Sequence, residues 1–274
     1  MCRHLAYLGP PRELAALLLE GPHSLLRQSY APADMRCDAV ANADGFGAGW
    51  YPDGATAPIR YRRAIPIWND PSFAELAGAV RSGAVLAAVR SATIGMPVAS
   101  IACAPFATGR WLFSHNGMVT GWPASMAALA SQLPVTDLLT LDAPTDSALL
   151  WALVRHRLVA GEPLGGALAA VTSQVLAAAP DSRLNLLLTD GTAIAATAVH
   201  HSLSVRAADG GVLVCSEPTD SAAGWKAVPD HHLLTATPST VDVSPIPATT
   251  WRSHDRTSAG DLPVRRRRRR GVTA

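Results

Sequence analysis

The order of apolar patterns along the chain constrains its fold more than any other sequence feature. Strand-like segments divided by turns fill the first half, including Arg3–Gly9 and the nearly continuous apolar run Ala84–Ala92. Helix-like segments follow, and Leu184–Val199 returns to a strand pattern around a Thr-Asp-Gly turn. This order favours sheets packed with helices over an alternating β-α-β array, so we predict an α+β fold.

Four central segments have clear local signals. Pro123–Leu133 and Leu164–Pro180 are Ala-rich and predict helices, and Thr145–Gly161 predicts a third helix because it opens on a Thr-Asp cap signal. Trp111–Val119 predicts a strand, a tight Asn-Gly turn and a second strand.

The last part of the chain has a different composition. Residues 1–243 are predicted to form the folded domain, and residues 244–274 a disordered, Pro-containing, charged tail. Arg265–Arg270 lie in this tail, and without these six arginines the formal net charge of +2 becomes −4. Binding of nucleic acid or an acidic partner through this run is an alternative function. The rest of the chain shows no basic face or reading module that would support it.

Composition also limits the compartment and the cofactors. No stretch approaches about 18 uninterrupted apolar residues and no apolar leader opens the chain, so a cytoplasmic protein is expected. The four cysteines include no CxxC pair. The adjacent histidines His200–His201 and His231–His232 lack the i, i+4 or i, i+2 spacing that directs two imidazoles to one metal. Neither a metal nor a cofactor is predicted.

Cys2 is the strongest functional candidate. Removal of Met1 would leave one residue that carries both a thiol and a free α-amine. An α-amine has a reference pKa of about 7.7–8.0, so it can act as a base near neutral pH. This is the arrangement of an N-terminal nucleophile, in which the nucleophile supplies its own base.

Three other positions have a functional and a structural interpretation. Asn116 and Gly117 could present an amide and a backbone N–H as an oxyanion hole, or form an ordinary type I′ hairpin. Arg90, at the end of an apolar strand, could bind a substrate carboxylate or form an internal salt bridge. Asp146 could receive a substrate ammonium group or serve the start of a helix.

Taken together, these features resemble the class II glutamine amidotransferases. Cys2, GFGAGWY, Arg-x-x-Thr, His-Asn-Gly and Thr-Asp-Ser occur in the order seen in that family, over approximately residues 1–220. The resemblance implies a four-layer αββα sandwich of the N-terminal nucleophile hydrolase type.

The resemblance also implies roles for individual residues. Cys2 would be the nucleophile and its amine the base, while Asn116 and Gly117 would form the oxyanion hole. Arg90 would bind the α-carboxylate of a γ-glutamyl group and Asp146 its α-ammonium group. The same motifs place two further residues in the substrate-binding set, namely Thr93 and His115.

A closer resemblance is to the amidohydrolases of ergothioneine biosynthesis, carried by segments such as MCRHLAYLG, NADGFGAGWY, AVRSATIGMP and GRWLFSHNGMV. It implies hydrolysis of the small molecule γ-glutamyl-hercynylcysteine S-oxide through a γ-glutamyl thioester. Ammonia-transferring members often read Arg-x-x-Thr-His, whereas Ile94 follows Thr93 here. A glutaminase or amidotransferase subunit working with a separate synthase is the alternative.

The hercynyl half of that substrate carries a trimethylammonium group, which aromatic faces commonly hold. Three aromatic side chains are candidates for this contact or, alternatively, for the core. They are Trp50, Tyr51 and Trp68.

Overall fold

The structure, a computed structural model, describes residues 2–34 and 41–247. Within these ranges thirteen strands form two antiparallel sheets, and seven helices cover the outer faces. The two sheets pack against each other through alternate residues of their strands, since side chains along a strand point to opposite faces in turn.

The first sheet has seven strands in the order β11-β9-β10-β1-β4-β2-β3. Its strands are β1 (Arg3–Glu13), β2 (Phe46–Trp50), β3 (Ile59–Arg63), β4 (Arg81–Val89), β9 (Ser204–Ala208), β10 (Gly211–Cys215) and β11 (Lys226–Ala227). The strand that follows Cys2, β1, is central and is paired with β4 on one side and β10 on the other.

The second sheet has six strands in the order β13-β12-β8-β7-β6-β5. Its strands are β5 (Phe106–Thr108), β6 (Trp111–Met118), β7 (Arg183–Thr189), β8 (Ile194–Ala198), β12 (His232–Thr237) and β13 (Thr240–Pro245). The chain passes from this sheet to the first between β8 and β9, and returns between β11 and β12.

The helices form the two outer layers. Those on the first sheet are α1 (Leu14–Leu18), α2 (Leu25–Gln28) and α3 (Pro71–Ala79), and those on the side of the second are α4 (Ala127–Ala130), α5 (Val135–Leu139), α6 (Asp146–Val159) and α7 (Leu164–Ala178). One apolar core lies under each helical layer and a third lies between the sheets. The predicted four-layer αββα arrangement is confirmed.

Two local predictions were wrong. Asn116 and Gly117 do not form a turn, because β6 continues through both and pairs with Asn185 and Leu184 of β7. Pairing with a distant strand has overridden the local turn preference. The helix predicted over Pro123–Leu133 is a short 3₁₀ turn followed by the four residues of α4.

The last strand continues to Pro245, and the Ser173 hydroxyl donates to the carbonyl oxygen of Pro247 at 2.7 Å. Ordered chain thus extends slightly beyond residue 243.

The run Arg265–Arg270 lies outside the described residues. Among the helices that the structure describes, none is long and apolar enough to cross a membrane.

Candidate active site

Cys2 lies at the open end of the two sheets. In the antiparallel pair of β1 and β4, Arg3 is opposite Val89, so continuing the register brings Cys2 opposite Arg90. The Cys2 thiol is half-buried and lies 3.8 Å from the carbonyl oxygen of Ser91, to which it can donate. The predicted nucleophile and the predicted carboxylate-binding arginine are therefore neighbours.

A small cavity joins several of the predicted residues. It is bordered by apolar side chains that include Phe46 and by four polar or charged residues from different parts of the chain, namely Cys2, Arg90, His115 and Ser147. A larger hollow of about 680 Å³ lies at the other end of β1, around Gly9 and Tyr51, and the aromatic candidate Tyr51 is the one predicted residue in its lining. We take the cavity at Cys2 as the candidate site because it holds the reactive groups.

The guanidinium group of Arg90 is available on this cavity. Its Nη1 donates to the carbonyl oxygen of Pro97 at 2.9 Å, and no carboxylate of the described residues forms an ion pair with it. The backbone of Arg90 is fixed through hydrogen bonds with Asp44 and Gly45, which precede β2. An internal salt bridge therefore does not account for this arginine within the described part of the chain.

Asn116 and Gly117 lie on β6 beside β7. The Asn116 side chain is fully buried, its Nδ2 donates to Ser216 Oγ at 3.2 Å, and its Oδ1 has no hydrogen-bond partner in the part of the chain that the structure describes. At Gly117 a Cβ atom would lie 1.8 Å from the carbonyl oxygen of Arg183, so no side chain fits there. Neither residue borders the cavity directly.

Asp146 begins α6, but Thr145 is the residue that caps this helix, since its hydroxyl accepts from the N–H of Ala148. Asp146 Oδ2 accepts instead from the N–H of Val119 at 2.9 Å, which ties α6 to the end of β6. Its Oδ1 accepts from the N–H of Ser147 at 2.7 Å. The buried carboxylate has further lone pairs that could accept another donor.

His115 connects this helix to the cavity. Its Nε2 donates to the carbonyl oxygen of Arg183 at 3.0 Å, and its Nδ1 lies 2.9 Å from the hydroxyl oxygen of Ser147, which in turn donates to Asp146 Oδ1 at 3.2 Å. The imidazole is thus held in one orientation. Ser147 was not singled out from the sequence, although it lies in the Thr-Asp-Ser motif.

Besides Asp146, four predicted binding residues lie apart from the cavity lining. Thr93 is exposed on the turn that follows Arg90. Trp50 and Tyr51 are buried, and the Tyr51 hydroxyl donates to the carbonyl oxygen of Arg110 at 2.6 Å. Their interpretation as core residues is the correct one. Trp68 is 43% exposed and contacts the Tyr30 ring edge-on, with centroids 5.7 Å apart.

A buried polar layer lies behind Cys2, and no motif predicted it. His4 Nδ1 lies 3.2 Å from Ser114 Oγ, and the backbone N–H of His4 donates to Ser216 Oγ at 3.0 Å. Burial, assisted by nearby His115 and other basic groups, lowers the pKa of His4 to about 3, so this imidazole is neutral at physiological pH.

Two other cysteines differ from Cys2. Cys103 and Cys215 are buried, and burial raises the pKa of the Cys103 thiol to about 11 and that of Cys215 well above its usual value. Both remain protonated near neutral pH and are poor nucleophiles. Cys37 lies outside the described residues.

Comparisons with known proteins identify the family. The family model for class-II glutamine amidotransferases matches residues 13–209. The γ-glutamyl-hercynylcysteine sulfoxide hydrolase of Mycolicibacterium smegmatis is 43% identical over 246 residues, which cover 90% of this chain and all of that protein.

Solved structures share the fold. A glutamine aminotransferase class-II domain protein from Silicibacter pomeroyi superposes with a TM-score of 0.65 and 26% identity, over 90% of this chain and all of that one. The glutamine phosphoribosylpyrophosphate amidotransferase of B. subtilis gives a TM-score of 0.63 at 15% identity, over 90% of this chain and 50% of that one. With its αββα sandwich and a family match over most of its length, the chain belongs to the class-II glutamine amidotransferases.

Proposed function

We propose that this chain hydrolyses the γ-glutamyl amide bond of γ-glutamyl-hercynylcysteine S-oxide, releasing glutamate and hercynylcysteine S-oxide. The observation that carries the proposal is the 43% identity to a hydrolase of that name over its entire length. The placement of Cys2 beside an arginine that has no carboxylate partner among the described residues supports it, because a γ-glutamyl substrate brings an α-carboxylate to the nucleophile.

The proposed reaction is acyl transfer to Cys2 after removal of Met1. The Cys2 amine takes the thiol proton, and the thiolate forms a C–S bond to the γ-carbonyl carbon. The resulting ammonium group returns a proton to the leaving nitrogen as the C–N bond breaks, which leaves a γ-glutamyl thioester. Water, deprotonated by the same amine, then attacks the thioester and releases glutamate.

We assign the oxyanion hole to the Asn116 side chain and the Gly117 backbone. Rotating the Asn116 amide by about 180° would exchange Oδ1 and Nδ2. Oδ1 could then accept from the Ser216 hydroxyl, and Nδ2 would occupy the position of the present Oδ1, which accepts no hydrogen bond from the described residues. An N–H donor fixed in this way costs little reorganisation when the carbonyl oxygen becomes negative. Ser216 is then a positioning residue for Asn116.

Recognition of the glutamyl α-carbon is assigned to Arg90, Thr93 and Asp146. Arg90 would bind the α-carboxylate, and Thr93 would contact it from the exposed loop. Asp146 would accept the α-ammonium group through its remaining lone pairs, with His115 and Ser147 holding the carboxylate in place. For the trimethylammonium group only Trp68 is exposed among the three aromatic candidates.

The decisive experiment is to measure glutamate release from γ-glutamyl-hercynylcysteine S-oxide and, separately, from glutamine. Wild type should strongly prefer the first, and Cys2→Ala should lose about 10⁴-fold or more in turnover, since it removes the nucleophile. Cys103→Ala is the matched control, because that thiol is buried and protonated, and it should retain activity. Appreciable turnover by Cys2→Ala would exclude the mechanism. Intact-mass analysis should show that Met1 is absent from active enzyme.

The same assay tests the alternatives. Release mainly from glutamine would favour a glutaminase or amidotransferase subunit that supplies ammonia to a separate synthase. A binding function of Arg265–Arg270 is tested by deleting residues 248–274, which preserves β13 and the contact at Pro247. The hydrolase proposal requires that this truncated chain keep its activity.

A cytoplasmic location is part of the proposal. The thiols of Cys2, Cys103 and Cys215 are all free, as expected in a reducing compartment.

A further inference from the structure

Two histidines and an aspartate meet on the surface, away from the Cys2 cavity. His200 Nε2 lies 3.1 Å from His231 Nε2, and Asp230 Oδ2 lies 3.9 Å from the same His231 atom. The ligand atoms that the three residues offer all lie within 4.8 Å of one another. The spacing within each adjacent histidine pair predicts no metal site. The fold, however, brings together one histidine from each pair.

The three side chains are already oriented by hydrogen bonds. His200 Nδ1 donates to the carbonyl oxygen of Ser182 at 3.2 Å, so its Nε2 carries the lone pair that faces His231. Asp230 Oδ1 accepts from the backbone N–H groups of His200 at 2.7 Å and His231 at 3.1 Å. The carboxylate is therefore fixed at one oxygen, and Oδ2 is left for another partner.

The backbone at both histidines has an unusual conformation. His200 has φ 61° and His231 has φ 57°, and in the described part of the chain only one other non-glycine residue, Asp209, has a positive φ. This conformation costs on the order of 1 kcal/mol for a residue with a Cβ. Such strain is commonly found at ligand-binding positions.

We propose that His200, Asp230 and His231 form a binding site for a divalent transition-metal ion, with Zn²⁺ as the best fit. Two nitrogens that share a tetrahedral zinc lie about 3.3 Å apart, given Zn–N distances of about 2.0–2.1 Å. The observed 3.1 Å is close to that value. The metal takes the position of the proton that the two Nε2 atoms otherwise share. Asp230 Oδ2 and one water complete the ligand set.

The location gives the site a structural role. His200 lies between β8 and β9, where the chain leaves the second sheet, and Asp230 and His231 lie between β11 and β12, where it returns. A metal bound there links the two connections between the sheets. Because an ion that binds only the folded chain stabilises it by mass action, zinc should raise the melting temperature.

The test is titration of untagged full-length protein with ZnCl₂ by calorimetry. A Cys2→Ala, Cys37→Ser background removes two thiols that would compete for zinc. One ion should bind per chain. His200→Asn and His231→Asn should each weaken binding at least tenfold, because asparagine tolerates a positive φ but is too short to ligate. His156→Asn, on an exposed position of α6, is the matched control and should bind as before.

Thermal unfolding provides a second readout that does not depend on activity. Zinc at about 100 times its Kd should raise Tm by about 5–10 °C in the background protein and in His156→Asn. The rise should disappear in both site variants, whose Tm without zinc shows whether they fold. Absence of saturable binding, or binding and stabilisation that persist in both site variants, would overturn the proposal.

Discussion

The two ends of the layer between the sheets are built on the same strands but have opposite chemistry. Far from Cys2 the inward-facing side chains are apolar, namely Ala6, Leu8, Leu112, Leu187, Val212 and Val214. Near Cys2 the same strands, and the residue that follows β10, turn polar groups inward, namely His4, Ser114, Asn116, Asn185 and Ser216. Both sets are buried, so exposure does not explain the difference.

Within this one layer, the far end contributes mainly to stability, and the near end holds the polar groups proposed for function. Apolar burial contributes about 25 cal/mol per Å², and the far end consists almost entirely of such groups. At the near end, His4 Nε2 and Asn116 Oδ1 are buried without partners among the described residues, each at a cost of about 1–3 kcal/mol. The near end is thus less stable than it could be.

The largest effect on stability is expected at the far end. Leu187→Ala should lower the free energy of unfolding by about 2–5 kcal/mol, because it leaves a cavity in a fully buried layer. Urea denaturation measures this, and kcat well below the melting temperature should be unchanged. Leu139→Ala, at a side chain that is 79% exposed, is the control and should change neither quantity. A fall in kcat for Leu187→Ala would contradict the inference that the far end contributes to stability and not to catalysis.

The next effect is catalytic and lies at the near end. Asn116→Ala should reduce kcat by about 10²–10³-fold, as for removal of an oxyanion donor, with little change in the free energy of unfolding. Asn185→Ala is its matched partner across the β6–β7 pair. The Asn185 amide is satisfied by Ser202 and Val199, so its removal should cost stability. If both variants changed kcat and the free energy of unfolding in the same way, the proposed role of Asn116 as an oxyanion donor would be excluded.

A smaller effect is expected from the residue that orients Asn116. Ser216→Ala should lower kcat by up to about tenfold while KM stays unchanged, because a net hydrogen bond is worth about 0.5–1.5 kcal/mol. Steady-state kinetics on the γ-glutamyl substrate separate the two parameters. A rise in KM at constant kcat would instead assign Ser216 to substrate binding.

The smallest effect near neutral pH concerns His4. Its folded pKa of about 3 is below the ordinary value of about 6.5, so only the unfolded chain takes up a proton between these values. The free energy of unfolding should therefore fall as pH drops from about 6.5 towards 3, and be unaffected above 6.5. Urea denaturation at pH 7.5, 6 and 5 should show a shallower decline in His4→Gln. An equal decline in both proteins would remove His4 as its source.

Local signals were sufficient for part of the fold. The cap at Thr145, the apolar run of β4 and the Thr-Asp-Gly turn between β7 and β8 are all contained in short segments. The turn predicted at Asn116–Gly117 failed because β6 pairs with a strand some 70 residues away. The short helix α1 was not predicted, because its five residues are stabilised by packing on the first sheet.

The site was predictable to the extent that a motif carried each residue. Cys2, Arg90 and His115 border one cavity, although 113 positions separate the first from the last. Ser216 could not be assigned from its own surroundings in the sequence, since its role depends on the place of β10 beside β1. The meeting of His200 with His231 likewise depends on two connections that only the folded sheets bring together.

The central place of β1 has a practical consequence for making the enzyme. Strands on both sides hold the first residues, so a fused peptide ahead of Cys2 would emerge directly at the cavity. Such a fusion would also convert the amine into an amide, which has no basic lone pair. An affinity handle at this terminus should therefore yield a folded protein without turnover. Cleavage that leaves Cys2 first would restore it.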